Sequence, residues 1–367
     1  MNVLIAGGGT AGHVFPAIAL ARELASRGHD VRFAGTTTGQ EATLVGEAQF
    51  PFVAVEAKPL ERRVSVRAMT APFAAVRSVK TCRPLVDAAD VVVGMGGYVS
   101  VPVALAAMRS RRPLVLHEQN AVPGLANRAF ARSARTVGLS FAESRRGFPR
   151  RARTLVTGNP VRSQILAVPA DRDRLAKQAF EELDLDPERR TMVVFGGSQG
   201  ALHVNRAVVA ALPTIGGSGL QVLLLTGAAH AEAVYSSLPK DAGAPVRVIG
   251  YLDRMELAYA AADVVIARAG ATTIAEISVC GLPSVLIPYP YATGRHQEAN
   301  ARALQRAGAA TMVLDDELDG GVLGERIASL FDDDQERRRM GERATAWSRP
   351  DAAEVLAAAV IDAGGPT

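Results

Sequence analysis

Two cysteines, Cys82 and Cys280, are all that 367 residues contain. They are too few and too far apart for a disulfide framework or a thiolate metal site, which points to a reducing compartment. Charged residues are a modest 21% beside 48% hydrophobic ones, a balance that excludes a disordered or fibrous chain. Long unbroken apolar stretches are missing too. The uncharged run from Val91 to Met108 holds Gly94, Gly96, Gly97, Ser100 and Pro102, so it reads as strand, loop and buried helix rather than a membrane span. Asn2–Ala6 reads as a strand, not as the apolar core of a secretory signal. The expectation is a soluble, intracellular chain of two domains, since one domain takes about 100–200 residues.

What is present is a repeated alternation of strand, turn and helix. In the first half the strands read Val3–Ala6, Val31–Ala34, Phe52–Val55, Val91–Gly94, Leu114–His117, Thr136–Leu139 and Thr154–Thr157. In the second they read Met192–Phe195, Val222–Leu225, Val246–Ile249, Val264–Ala267, Ser284–Ile287 and Thr311–Leu314. Most are short β-branched runs without polar alternation, as expected of parallel strands buried on both faces. Amphipathic helices lie between them, for example Pro16–Arg27, with proline near its start and Gly28 past its end. The fold class is therefore α/β, two doubly wound Rossmann-like domains with ligands at the carboxyl ends of the strands. The expected boundaries are 1–162, 163–345, and a terminal helical segment, 346–367, that crosses back to the first domain. Residues 1–162 carry 22 Lys+Arg against 10 Asp+Glu, a balance of +12, and the remainder carry 19 against 27, or −8. A basic half beside an acidic half suggests that one of them meets an anionic partner.

Three glycine turns follow buried strands. Gly7 to Gly12 (GGGTAG) satisfies the dinucleotide spacing, and its helix N-terminus could favour a phosphate; a turn needed only for packing is the alternative. A nicotinamide site also needs an acidic residue closing the second strand. Gly35 to Gly39 (GTTTG) stands there instead, which counts against such a cofactor. His13 comes directly after the first turn, where an imidazole could take a proton from a hydroxyl. The second turn, Gly196 to Gly200, carries Ser198, and the third, Gly270 to Glu276, carries Thr272 and Thr273. Both could hold a diphosphate on N–H groups of a first helical turn. Glu276 lies one turn further in, where a carboxylate could accept both hydroxyls of a ribose. Gln297 follows a Pro/Gly loop and suits the reading of sugar hydroxyls. Such polar groups at strand ends argue for a site in the interdomain cleft. The acidic run Asp332–Asp334 reads as a cap for the charged helix after it rather than as a metal motif.

Taken in order, GGGTAGHVFPA (7–17), GGYVS (96–100), HEQN (117–120), TGNPVR (157–162), GGSQGA (196–201), GATTIAE (270–276) and RHQEANA (295–301) resemble the bacterial MurG family, with its two-domain GT-B fold. The resemblance implies transfer of GlcNAc from UDP-GlcNAc to the C4 hydroxyl of the MurNAc in lipid I. The product is lipid II, formed with inversion, without cofactor or obligatory metal, and with no nucleic acid as partner. Apart from the resemblance, the place of His13 directly after the first glycine turn predicts that it acts as, or positions, the catalytic base. Thr10, Ala11, Gly12, Asn120, Arg162, Ser198, Leu252, Ala271, Thr272, Thr273, Ile274, Ala275, Glu276 and Gln297 are implied to hold the donor. One departure, Ala11 where glycine is usual, predicts a slightly reshaped first turn. A UDP-GlcNAc 2-epimerase of the same fold is the alternative. The lipid acceptor implies a peripheral place on the cytoplasmic face of the cell membrane. Arg62, Arg63, Arg67, Arg77, Lys80 and Arg83 flank an apolar stripe, Met69, Phe73, Val76 and Val79, that fits an anionic membrane surface.

Overall fold

The computed structural model describes residues 1–37, 39–55, 78–197, 199–216 and 219–365. The chain divides into two units, Met1–Arg162 with Arg349–Thr367, and Ser163–Ser348. All thirteen expected strands form, each end within two residues of its sequence reading.

In the first unit seven parallel strands lie in the order β3-β2-β1-β4-β5-β6-β7. They are β1 (Asn2–Ala6), β2 (Asp30–Gly35), β3 (Phe52–Ala54), β4 (Val91–Gly94), β5 (Leu114–Glu118), β6 (Thr136–Leu139) and β7 (Thr154–Val156). Successive side chains of a strand face opposite ways. Val3, Ile5, Val91 and Val93 therefore share one core with Leu20 and Leu24 of the helix Ala11–Ser26 and with Leu356 and Val360 of the helix Ala352–Gly364. Leu4, Val92 and Leu116 share the other with Val103 and Ala107 of the helix Ser100–Arg109 and with Cys82 and Val86. Burial on both sides explains why these strands show no polar alternation. The first helix begins at Ala11, five residues before the expected Pro16, which sits inside it. A proline ring clashes with the carbonyl four residues earlier; here that residue is Gly12, in the first turn, where the helix tolerates the loss.

In the second unit six parallel strands lie in the order β10-β9-β8-β11-β12-β13. They are β8 (Arg190–Phe195), β9 (Leu220–Leu225), β10 (Val246–Ile249), β11 (Val264–Ala267), β12 (Ser284–Leu286) and β13 (Ala310–Met312). Their core joins Val194, Val222 and Ile266 to Val204 and Val208 of the helix Leu202–Ile215 and to Leu323 and Ile327 of the helix Gly320–Asp332. Asp333 caps the next helix, its carboxylate accepting from the Glu336 N–H at 2.9 Å. Each sheet reverses its direction of growth beside its first strand, between β1 and β4 and between β8 and β11. Loops on either side of such a switch point splay apart and leave room for a ligand.

Candidate functional site

In the first unit the loops after β1, β4 and β5 meet at the switch point. Thr10 caps the helix Ala11–Ser26 in extended backbone, and Ala11, Gly12 and His13 form its first turn. Positive φ falls on Gly9 and not on Ala11. The expected reshaping by Ala11 is therefore unnecessary, since an ordinary helical position accepts alanine readily. The turn after β4 packs directly on the turn after β1. A Cβ on Gly97, whose φ is +76°, would lie 2.3 Å from the Gly8 carbonyl oxygen, so only glycine fits.

The four residues of HEQN do four different things. His117 is fully buried and meets the Gly158 carbonyl at 3.0 Å, and burial pushes its pKa down to about 4. Glu118 is buried and organises its own loop, accepting from the N–H groups of Asn120 and Gly124 and from Asn127 Nδ2 at 2.9–3.0 Å. Burial raises its pKa despite these bonds. Gln119 places Oε1 3.2 Å from His13 Nδ1, and Asn120 stays half-buried at the loop surface. His13 is held below the usual histidine range by burial, against the opposing hydrogen bonds to Gln119 and the Met95 carbonyl. It is therefore a neutral imidazole at pH 7 with the capacity to accept a proton. The Arg162 guanidinium lies 4.3 Å from the Phe15 ring centroid, beside the helix that carries His13.

In the second unit Gly270 caps the helix Ala271–Val279, with Thr272 and Thr273 half-buried at its start. Ala271 is mostly covered and Ala275 half-covered. Ile274 is the exception within this segment. Its side chain is fully buried in the core and its N–H bonds the Gly270 carbonyl at 2.9 Å. Glu276 is no exposed helix-start carboxylate either; it is 4% exposed and accepts a 2.9 Å hydrogen bond from the Tyr259 hydroxyl. Leu252 is half-buried in the loop after β10. Gln297, second residue of the helix His296–Arg306, accepts from the Tyr289 N–H through Oε1 at 2.9 Å, which leaves Nε2 as the donor end of its amide. Ser198 lies outside the described residues, as do Arg62, Arg63, Arg67, Met69, Phe73, Val76 and Arg77.

Residues 3–139 match the glycosyltransferase family 28 N-terminal domain and residues 191–356 its C-terminal domain. A transferase of Halothermothrix orenii is 40% identical over 97% of each chain, and one of Nocardioides sp. is 41% identical over 99% of this chain and 98% of its own. Both bear the name UDP-N-acetylglucosamine--N-acetylmuramyl-(pentapeptide) pyrophosphoryl-undecaprenol N-acetylglucosamine transferase. The crystal structure of MurG from Acinetobacter baumannii superposes with a TM-score of 0.78 at 27% identity, covering 98% of this chain and 99% of that one. The chain belongs to the MurG family. It is thus a glycosyltransferase with the two-domain GT-B fold. A putative UDP-N-acetylglucosamine 2-epimerase from Listeria monocytogenes superposes with a TM-score of 0.69 at 15% identity, a likeness of fold alone.

Within this MurG-family chain the sequence reading missed the groups that brace the loops. Glu41 is buried, and its carboxylate accepts from the Gly9 N–H at 3.1 Å and from the N–H and hydroxyl of Thr36 at 3.0 and 2.6 Å. These bonds hold its pKa below the usual carboxylate range in spite of burial. An acid thus does follow the second strand, six residues past Gly35, but it faces the protein's own glycine turn. In the second unit Arg268 pairs with Asp315 at 2.5 Å and donates to the Ile287 and Pro288 carbonyls at 3.3 and 3.1 Å. His203 Nδ1 reaches the other Asp315 oxygen at 3.0 Å. The only signal for these groups was their position just after strands or at helix starts.

Proposed function

We propose that this chain transfers GlcNAc from UDP-GlcNAc to the C4 hydroxyl of the MurNAc in undecaprenyl-diphosphoryl-MurNAc-pentapeptide, lipid I, with inversion, giving lipid II. The observation that carries this reading is the match along nearly the whole chain to transferases of that name. His13 takes the proton of the acceptor hydroxyl as its oxygen bonds the anomeric carbon, and the bond from that carbon to UDP breaks with its electron pair on the leaving group. Charge developing on UDP is met by Ser198 and by the helix start at Ala271, Thr272 and Thr273, as preorganised donors stabilise a leaving anion. Glu276 takes the ribose hydroxyls and Leu252 lies against the uracil. Thr10, Ala11, Gly12, Asn120, Arg162 and Gln297 address the donor sugar.

Because a prenyl chain keeps the acceptor in a bilayer, the enzyme works peripherally at the cytoplasmic face of the membrane. The charge balance of +12 over residues 1–162 supports an anionic surface as partner, and among the described residues no helix is long and apolar enough to cross a bilayer. Lys80 and Arg83 are exposed, but Val79 packs into the core with Cys82 and Val86, so that end of the expected stripe faces inward. Co-sedimentation with anionic vesicles, comparing wild type with a variant carrying Phe73→Ser, Val76→Ser, Arg77→Glu and Lys80→Glu, tests the patch. Undiminished binding by a folded variant rules it out. Turnover of labelled UDP-GlcNAc with and without a lipid I analogue tests the reaction. UDP release that requires the acceptor supports transfer, and formation of a 2-epimer without acceptor supports the epimerase instead.

A further inference from the structure

A neutral imidazole can accept a proton at one nitrogen only, and its other hydrogen bond decides which. Around His13 that choice is made by a chain of three groups. Gln119 is 2% exposed, and its Nε2 lies 2.5 Å from the Met95 carbonyl oxygen. A carbonyl oxygen tolerates only the amide N–H2 at such a distance, so the amide cannot be flipped. Its Oε1 is thereby turned to His13 Nδ1, 3.2 Å away. An amide oxygen has no proton to give, so the hydrogen bond forms only when Nδ1 carries one. Gly96 makes room for this contact: its φ is +90°, and a Cβ there would stand 3.1 Å from His13 Nδ1 and 3.2 Å from Gln119 Oε1. Neither feature is needed to close the loop, since Met95 N–H already bonds the Ala6 carbonyl at 2.8 Å.

We propose that Gln119, locked by the Met95 carbonyl, fixes the His13 proton on Nδ1 and so leaves the Nε2 lone pair as the basic atom. Gln119 is a positioning residue that acts through His13, and this inference rests on His13 being the base. In the transfer step the acceptor hydroxyl then gives its proton to Nε2 and leaves the enzyme as imidazolium, which returns the proton to solvent after UDP departs.

The test is the tautomer itself, read by long-range 15N–1H correlation on the full chain with 15N-labelled histidine, together with kinetics. Wild type at pH 8 is expected to show His13 protonated at Nδ1. Gln119→Met, of similar volume but without an acceptor, should lose that preference and lower kcat about 10-fold or more, with KM for UDP-GlcNAc nearly unchanged. Gln119→Glu restores an acceptor at Nδ1; it should recover the tautomer and move the acid limb of the pH–rate profile upward, since a carboxylate stabilises imidazolium. A wild-type His13 protonated at Nε2 overturns the proposal, and so does a folded Gln119→Met enzyme with unchanged tautomer and kcat. If Gln119→Met does not fold, the Gln119→Glu profile decides: an acid limb that stays in place overturns it. Failure of the base reading is a separate result, namely a His13→Ala enzyme that turns over normally while the wild-type tautomer is still Nδ1–H.

Discussion

Each unit winds its strands in the same order, yet the turn after the first strand is completed differently. In the first unit Glu41, arriving after β2, puts a carboxylate on the Gly9 N–H. In the second unit the acid in the corresponding place after β9, Glu232, is exposed. There a Cβ on Gly200 would lie 2.0 Å from the Thr226 carbonyl oxygen, so backbone packs on backbone, and among the described residues no carboxylate bonds Gly196, Gly197, Gln199 or Gly200. A turn whose amide already serves an internal anion is a poor host for a second one, because like charges a few ångströms apart repel. On the proposed function, the contrast favours the acidic unit for the nucleotide's diphosphate and the basic one for the proton chemistry. On that reading local amides and helix starts, not net charge, would set where the donor binds. The +12 balance is then left for the proposed membrane surface.

This division can be broken by mutants that separate rate from binding. His13→Ala, in the first unit, should lower kcat by about 10²–10⁴-fold, the usual worth of a general base, with UDP affinity unchanged by calorimetry. In the wild type kcat/KM should fall on the acid side of His13's pKa, which lies below 6.5, since only the neutral ring can accept a proton. Loss of UDP binding in His13→Ala would collapse the division. In the second unit, Ser198→Ala or Thr273→Val should cost about 10²-fold in rate, the value of one donor to a developing anion. Chelators should change neither. Strong inactivation by a chelator, reversed by Mg²⁺, would mean that a metal carries the charge assigned to these donors.

Periodicity and glycine spacing revealed the thirteen strands and three turns, because parallel buried strands and helix starts are local patterns. The bracing groups were not legible, for they join segments far apart in sequence. Gln119 reaches back 106 residues to His13, and Arg190 reaches the Phe331 carbonyl across 141. Glu41 was not legible as a partner of the first turn because it stands six residues beyond the end of β2, in the following helix.

Glu276 sharpens the comparison at a smaller scale, since its carboxylate is held by Tyr259 inside the second unit. UDP should bind better than 2′-deoxy-UDP by about 1–3 kcal/mol, the cost of leaving one buried polar group unpaired, or roughly 5–150-fold. Glu276→Ala should erase that difference while weakening UDP itself. Equal affinity of the two nucleotides for the wild type would leave Glu276 a packing partner of Tyr259.

The smallest effect belongs to Glu41, and it is one of stability rather than catalysis. Its folded pKa is depressed below the ordinary value of 4.5 by bonds to Thr36 and Gly9. A carboxylate with a lowered folded pKa stabilises the native state above its unfolded pKa, and loses that contribution as pH falls through the folded value. Glu41→Gln keeps the shape but removes the charge, and its amide N–H2 would face the Gly9 or Thr36 N–H. The variant should unfold in urea at a lower midpoint at pH 7, by about 1–2 kcal/mol. As pH falls through the folded pKa of Glu41 the two proteins should converge, because the wild-type carboxyl is then also becoming neutral. UDP affinity should not move, since the nucleotide is assigned to the other unit. If Glu41→Gln instead gains affinity for UDP or free diphosphate, the first glycine turn is an anion site that Glu41 keeps closed, and the division of labour between the units would have to be redrawn.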